Sequence, residues 1–243
     1  MKALTFPILA AAVLYGLSPA VTAQTLTVDI QTAFGQPTGN FENATYQGNP
    51  YTNPTVAFGI TVLAVDGVPV ADPLTTIGFC IELAQSGDSG VVLDFQASDL
   101  AAALLPDGAL RAAHLSWLMD NHAPALEPEF WQSAPISLSL AMQLAVWEVV
   151  SDTDLSLNGA SDGFRVGAQS DPYLADAVGL AESWLTGLSL AGIDATYTPQ
   201  KYVVNALTRD DKQDLIYLTN IPEPSSMLLA ATCSLALLRR RRR

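Results

Sequence analysis

Two hydrophobic rhythms run through the chain. Near both ends of its central part apolar residues recur at every second position, and between them they recur every third or fourth. A period of two sends successive side chains to opposite faces of a strand, whereas i, i+3, i+7 spacing gathers them on one face of a helix. Thr25 to Ile30, Val56 to Val65, Thr76 to Leu83 and Val91 to Phe95 carry the β-branched or alternating pattern, and Asn-Pro, Asp-Gly and Gly-Asp pairs punctuate them as turns. Phe34 to Pro54 is rich in Gly, Asn and Pro and predicts a long surface loop. The middle turns helical: Asp107 to Asn121 places Leu110, Ala113, Trp117 and Leu118 at helical spacing, and Ala134 to Ser151 repeats the pattern more strongly. A third helix is expected from Asp171 to Leu188, with Pro172 in the first turn, where its missing N–H does no harm. Lys201 to Leu207 and Gln213 to Leu218 return to strands. No internal repeat is visible. The expectation is one α+β domain with a β-rich N-terminal half, central helices and C-terminal strands.

The two extremities follow neither rhythm. Lys2 precedes a mostly apolar stretch from Ala3 to Leu17, and Val21-Thr22-Ala23 forms a small-residue cleavage site before Gln24, the pattern of a signal peptide removed between Ala23 and Gln24. At the other end stand Ile221-Pro222-Glu223-Pro224, an apolar run from Met227 to Leu238, and Arg239 to Arg243. That run is short for a membrane span, which needs about 20 residues. The arginines would hold the cytoplasmic side. Two prolines around one glutamate break any helix entering the run and leave an extended peptide that a processing enzyme can reach.

Pro222-Glu223-Pro224, the apolar run and the cluster containing Arg239, Arg240 and Arg241 resemble the PEP-CTERM sorting signal of Gram-negative bacteria. The resemblance implies an exported protein whose partners include the secretion machinery and an exosortase that cuts near the Pro-Glu-Pro. The tail would anchor the chain transiently in the inner membrane as a short transmembrane helix. Processing would then leave the protein at the cell surface or in the extracellular matrix, in a bacterium that makes biofilm polysaccharide. The implied organisation is a signal peptide at 1–23, a folded domain at 24–220 and a sorting signal at 221–243.

Removing both signals changes the charge. The whole chain has a formal net charge of −13. Lys2, Glu223 and the five tail arginines leave with the signals, so the domain keeps five basic residues against 23 acidic ones, about −18. Such a surface excludes nucleic acid and anionic membrane as partners, and membrane contact is expected through the sorting tail alone. Asp152, Asp154, Ser156 and Asn158 alternate in a way that resembles a calcium loop. Glycine falls at the eighth position and no glutamate stands at the twelfth, so an EF-hand is excluded and a solvated loop of Asx turns is expected, with no metal or other cofactor.

The whole sequence has two cysteines, and Cys233 lies in the sorting tail. The domain therefore keeps Cys80 alone and can form no internal disulfide. On the helix from Ala134 to Ser151, Leu140, Gln143, Trp147 and Val150 share one face, which sets an amide within an apolar stripe. A buried amide left without partners costs about 1–3 kcal/mol. Either backbone groups satisfy it or its chemistry has changed, and attack of the Cys80 sulfur on the Gln143 side-chain carbonyl, with loss of ammonia, would change it into a thioester.

Phe79-Cys80-Ile81-Glu82 and Met142-Gln143-Leu144-Ala145-Val146-Trp147 resemble the two motifs of bacterial surface thioester domains, aromatic-Cys-aliphatic-acid and Gln-x-Ala-aliphatic-Trp. Met142 stands where that family carries Thr. The resemblance implies Cys on a strand, Gln on a later helix, closing β-structure such as Gln213-Asp214-Leu215-Ile216, and covalent capture of amines, on a lysine of a target protein or on matrix material. Phe79 and Trp147 would wall the bond and Glu82 would position groups beside it. The alternative is a noncovalent protein of the same fold that binds exopolysaccharide.

Enzyme chemistry is poorly represented. Gly87-Asp88-Ser89-Gly90 looks like a serine-protease motif, yet no His precedes it, and a hairpin turn accounts for it. Two histidines and one cysteine make no zinc site, and no phosphate-binding loop is present. No catalytic residues are expected.

Overall fold

The computed structural model describes residues 24–32, 40–51, 57–85, 90–152, 154–159 and 163–221. The signal peptide up to Ala23, the Gly87 to Ser89 turn, and the sorting residues Pro222, Glu223, Pro224 and Arg239 to Arg241 lie outside them.

The alternating segments become the strands of a closed antiparallel barrel. β1 (Gln24–Thr32), β4 (Phe58–Val65), β5 (Val68–Cys80), β9 (Leu215–Asn220), β8 (Tyr202–Thr208) and β6 (Val91–Ser98) neighbour one another in that order, and β6 closes back on β1. Ile30, Ile60 and Thr76 stand in register across β1, β4 and β5 and so share one face. On β5 that face continues through Gly78 to Cys80, while Ile77 and Phe79 point the other way. Residues 76 to 80 are all buried, because this end of β5 is covered on both sides. Gly78 is there for space: a Cβ on it would lie 2.1 Å from Ile60 Cδ1 and 2.7 Å from the Ile216 carbonyl oxygen.

The strands match the sequence pattern, with informative differences. β5 extends back to Val68 as an exposed hairpin arm, joined to β4 through Asp66 and Gly67, both in left-handed conformation (φ 50° and 75°), as a two-residue hairpin requires. It ends at Cys80, three residues earlier than expected, and one further bond in the same register, from the Ile81 N–H to the Asp214 carbonyl, follows it. The expected loop from Phe34 to Pro54 contains β2 (Ala44–Tyr46) and β3 (Asn49–Pro50), which with β7 (Phe164–Val166) form a separate three-stranded sheet.

The helical rhythms hold. α2 spans Gly108–His122, α4 Ile136–Ser151 and α5 Pro172–Ala191, and two short helices, α1 (Leu100–Ala103) and α3 (Pro128–Ser133), join them. α5 begins as anticipated, with Pro172 in its first turn and Asp171 accepting from the Tyr173 N–H at 3.0 Å. α4 is buried on every side from Ser139 to Val149, as expected of a helix enclosed by β5 of the barrel, by α2 and α5, and by β7. α2 is tied to β8 by one carboxylate: Asp120 accepts from Tyr197 Oη at 2.9 Å and from the backbone N–H groups of Gln200, Lys201 and Tyr202 at 2.6, 2.9 and 2.9 Å. No helix among the described residues is long and apolar enough to cross a membrane.

Candidate functional site

The C-terminal end of β5 and the middle of α4 meet at Cys80 and Gln143, 63 positions apart in the chain. The Cys80 N–H donates to Gln143 Oε1 at 2.9 Å, and Gln143 Nε2 donates to the Cys80 carbonyl at 2.7 Å. Gln143 has no exposed surface and Cys80 retains 4% of its own.

Strand geometry explains why a side-chain amide fits there. The N–H of Ile81 points to β9, so by alternation the N–H and C=O of Cys80 point to the opposite edge, towards β4. Among the described residues β4 begins at Phe58, opposite Gly78, and its ladder does not reach Cys80. A primary amide carries the same donor and acceptor as a peptide group, and Gln143 supplies the next rung from a helix. The amide expected to need partners therefore has both of them.

The arrangement also has chemical potential. The Cys80 N–H polarises the Gln143 carbonyl and would hold negative charge growing on Oε1, as oxyanion-hole donors do. The same residue carries the sulfur. Burial pushes the Cys80 thiol well above its ordinary value, so the resting group is a neutral thiol.

The flanking residues divide. Trp147, one helical turn beyond Gln143, is buried and packs edge-on against Tyr51 and Phe164, each at 5.2 Å between centroids, so its ring meets the three-stranded sheet. Phe79 points to the face of β5 away from Cys80 and packs edge-on against Trp131 of α3 at 6.1 Å. It supports the strand; the expectation that its ring walls the sulfur does not follow from this placement. Met142 is fully buried. Glu82 is half-buried and accepts from Gln85 Nε2 at 3.0 Å.

Gln213 was expected only as part of the closing β-structure, yet its Nε2 donates to the Glu82 carbonyl at 2.6 Å and so fixes the turn that follows Cys80. Its position just before Asp214-Leu215 was the available signal. Beside that turn Ile81, Glu82, Ala103, Leu104, Leu105, Val150 and Asp214 line a hollow of about 220 Å³. Burial first, and then the charges of Glu82 and Asp210, raise the Asp214 carboxyl above its usual range, against the hydrogen bond it accepts from the Arg209 N–H.

The tail supplies the second functional element. Residues 220–243 match the PEP-CTERM protein-sorting motif. This chain carries a sorting signal. The PEP-CTERM match starts one residue before Ile221. Two solved structures are similar over most of the chain. The N-terminal domain of the Streptococcus pyogenes pilus tip adhesin Cpa is 15% identical over 85% of this chain and 98% of its own, with a TM-score of 0.46. The N-terminal thioester domain of the fibronectin-binding protein SfbI from Streptococcus pyogenes is 12% identical over 84% and 97%, with a TM-score of 0.44. No curated protein matches the chain.

Proposed function

We propose that the protein is exported by a signal peptide at 1–23, processed by an exosortase at the tail from 221 to 243, and left outside the cell as a domain of residues 24–220 that captures amines through a Cys80–Gln143 thioester. The observation that carries the reading is the two-way pairing of the Gln143 amide with the Cys80 backbone. It brings the amide to the residue that bears the nucleophile and aims a donor at its carbonyl oxygen.

The chemistry runs in two displacements. Cys80 Sγ attacks Gln143 Cδ, the C–N bond breaks, and the thiol proton leaves with ammonia. An incoming primary amine then attacks Cδ, the C–S bond breaks, and the amine's proton passes to Sγ, leaving an amide to the target and a free thiol. One capture occurs, without turnover. Met142 and Trp147 keep water from the bond by filling the surroundings of Gln143, and Glu82 with Asp214 draws a cationic lysine into the adjoining hollow.

The same pairing favours a second reading. Both functions of the amide are already satisfied, so the fold stands without a covalent bond, as a noncovalent matrix protein would need.

Intact mass separates the two. A domain beginning a few residues before Gln24, which prevents cyclisation at that glutamine, should be about 17 Da light, and Cys80→Ala should have full mass. Methylamine should convert the light species to one about 14 Da above the unmodified mass, with the label at Gln143. Full mass with a free Cys80 thiol and no adduct would sink the covalent reading and leave the noncovalent one.

A further inference from the structure

We propose that the C-terminal end of α4 carries a calcium site in which Glu148, Asp152 and Asp154 supply the protein oxygens. This site is independent of the thioester reading. Glu148 lies five residues beyond Gln143, in the last turn of the helix, and the two aspartates follow in the loop that leads to β7.

One carboxylate oxygen from each residue lies within 4.8 Å of the others. Calcium binds oxygen at about 2.3–2.6 Å, so ligands on opposite sides of one ion stand about 4.6–5.2 Å apart and all others closer. Three oxygens at this spacing fit one sphere. The burial is graded: Glu148 has no exposed surface, Asp152 is half-buried and Asp154 is exposed, giving a buried floor and a mouth through which water completes the shell.

A second observation points to a ligand. Glu148 Oε1 accepts from the Ser156 N–H at 3.0 Å, but Oε2, also buried, receives no N–H or hydroxyl donor, and the side chains that Glu148 faces are the Asp152 and Asp154 carboxyls. A wholly buried carboxylate oxygen with no donor, beside two further carboxylates, is costly unless a cation or a proton sits against it.

The surrounding loop holds the oxygens in place. Asp152 Oδ1 accepts from the Asp154 N–H and Asp154 Oδ1 from the Ser156 N–H, both at 3.1 Å, which are the Asx turns expected from the alternating polar residues. Glu182 of α5 accepts from the N–H and Nδ2 of Asn158 at 3.1 and 3.0 Å and fixes the far side. Two glycines let backbone close over the carboxylates. A Cβ on Gly159 would lie 2.0 Å from Asp154 Oδ2, and one on Gly163 2.2 Å from Asp152 Oδ2.

The donor set selects the ion. A set of carboxylates with no His or Cys disfavours zinc, whose sites are built mainly on His nitrogen and Cys sulfur. Magnesium demands a near-ideal octahedron at about 2.0–2.1 Å and gives up its water reluctantly, whereas calcium accepts an irregular shell from a loop. The spacing of i, i+4 and i+6, with the first ligand on a helix, differs from the EF-hand order that the sequence excluded.

The test uses the full 243-residue chain, stripped with a chelator and titrated with calcium chloride by calorimetry and thermal melting. The expected result is one ion per chain, with a Kd on the order of 10⁻⁴ to 10⁻³ M as in extracellular modules, and a melting temperature that rises with calcium and falls back with chelator. Asp154→Asn, at an exposed position, should fold normally and weaken binding at least tenfold. Glu148→Gln keeps an acceptor for Ser156 and should abolish binding, while Cys80→Ala should bind as the parent does. No heat and no melting shift from folded parent protein would overturn the site. A shift that persists unchanged in both carboxylate variants would also overturn it, because diffuse attraction to an acidic surface would then account for it.

Discussion

Gln143 shows how one side chain can take a structural part that belongs to backbone. Its amide completes a rung of β5, so its removal should be felt at Cys80. Gln143→Leu leaves a buried N–H and a buried C=O without partners, at about 1–3 kcal/mol each, and should destabilise the domain by roughly 2–5 kcal/mol in urea titration. Measured against protein that keeps the free thiol, Cys80→Ala keeps both backbone hydrogen bonds and loses only a small buried group, for about 1 kcal/mol. A similar cost for the two would contradict the rung. In any molecules that keep the free thiol, burial also predicts slow alkylation near pH 8 in the native state and rapid alkylation in urea, read by mass.

At the scale of elements, the tie between α2 and β8 depends on Asp120. Asp120→Ala strips a carboxylate from four donors and should destabilise the domain by roughly 2–4 kcal/mol. Tyr197 reports on the same tie. Burial first, and then its bond to Asp120, push the tyrosine up to about 12 from an ordinary 10. A group whose pKa is raised on folding contributes stability that is whole below its unfolded value and is lost as pH climbs through the folded one. Thermal melts should therefore weaken between about pH 10 and pH 12, and more gently in Tyr197→Phe. Equal alkaline sensitivity in the two proteins would show that other groups carry the effect, Tyr217 among them, which burial also raises.

The longer elements were legible because their periods repeat: Leu26, Val28 and Ile30 alternate, and α4 holds one pattern over sixteen residues. β2, β3 and β7 have two or three residues each and show no period, so the sheet they form was hidden, with β2 and β3 inside an expected loop and β7 far along the chain. Barrel closure was hidden for another reason. It rests on the pairing of β1 with β6 and of β5 with β9, which no local pattern encodes. Cys80 and Gln143 were visible as candidates through their flanking motifs, but the rung between them depends on where β4 begins. Asp152 and Asp154 were visible as an alternation; Glu148 was not, because its part comes from burial one helical turn upstream.

For the whole molecule, closure gives every barrel strand a hydrogen-bonded neighbour on each side, although β5 meets β9 and β6 meets β8 over only three residue pairs each. The join between β5 and α4 has a mechanical consequence. A covalent link between Cys80 and Gln143 would close a loop spanning 63 positions and restrict the unfolded chain by about 4 kcal/mol. Capturing an amine opens that loop while leaving Gln143 attached to the target. The act of binding would unfasten the molecule, and the tethered form should melt below the resting one: a fastener that yields at the moment it takes hold.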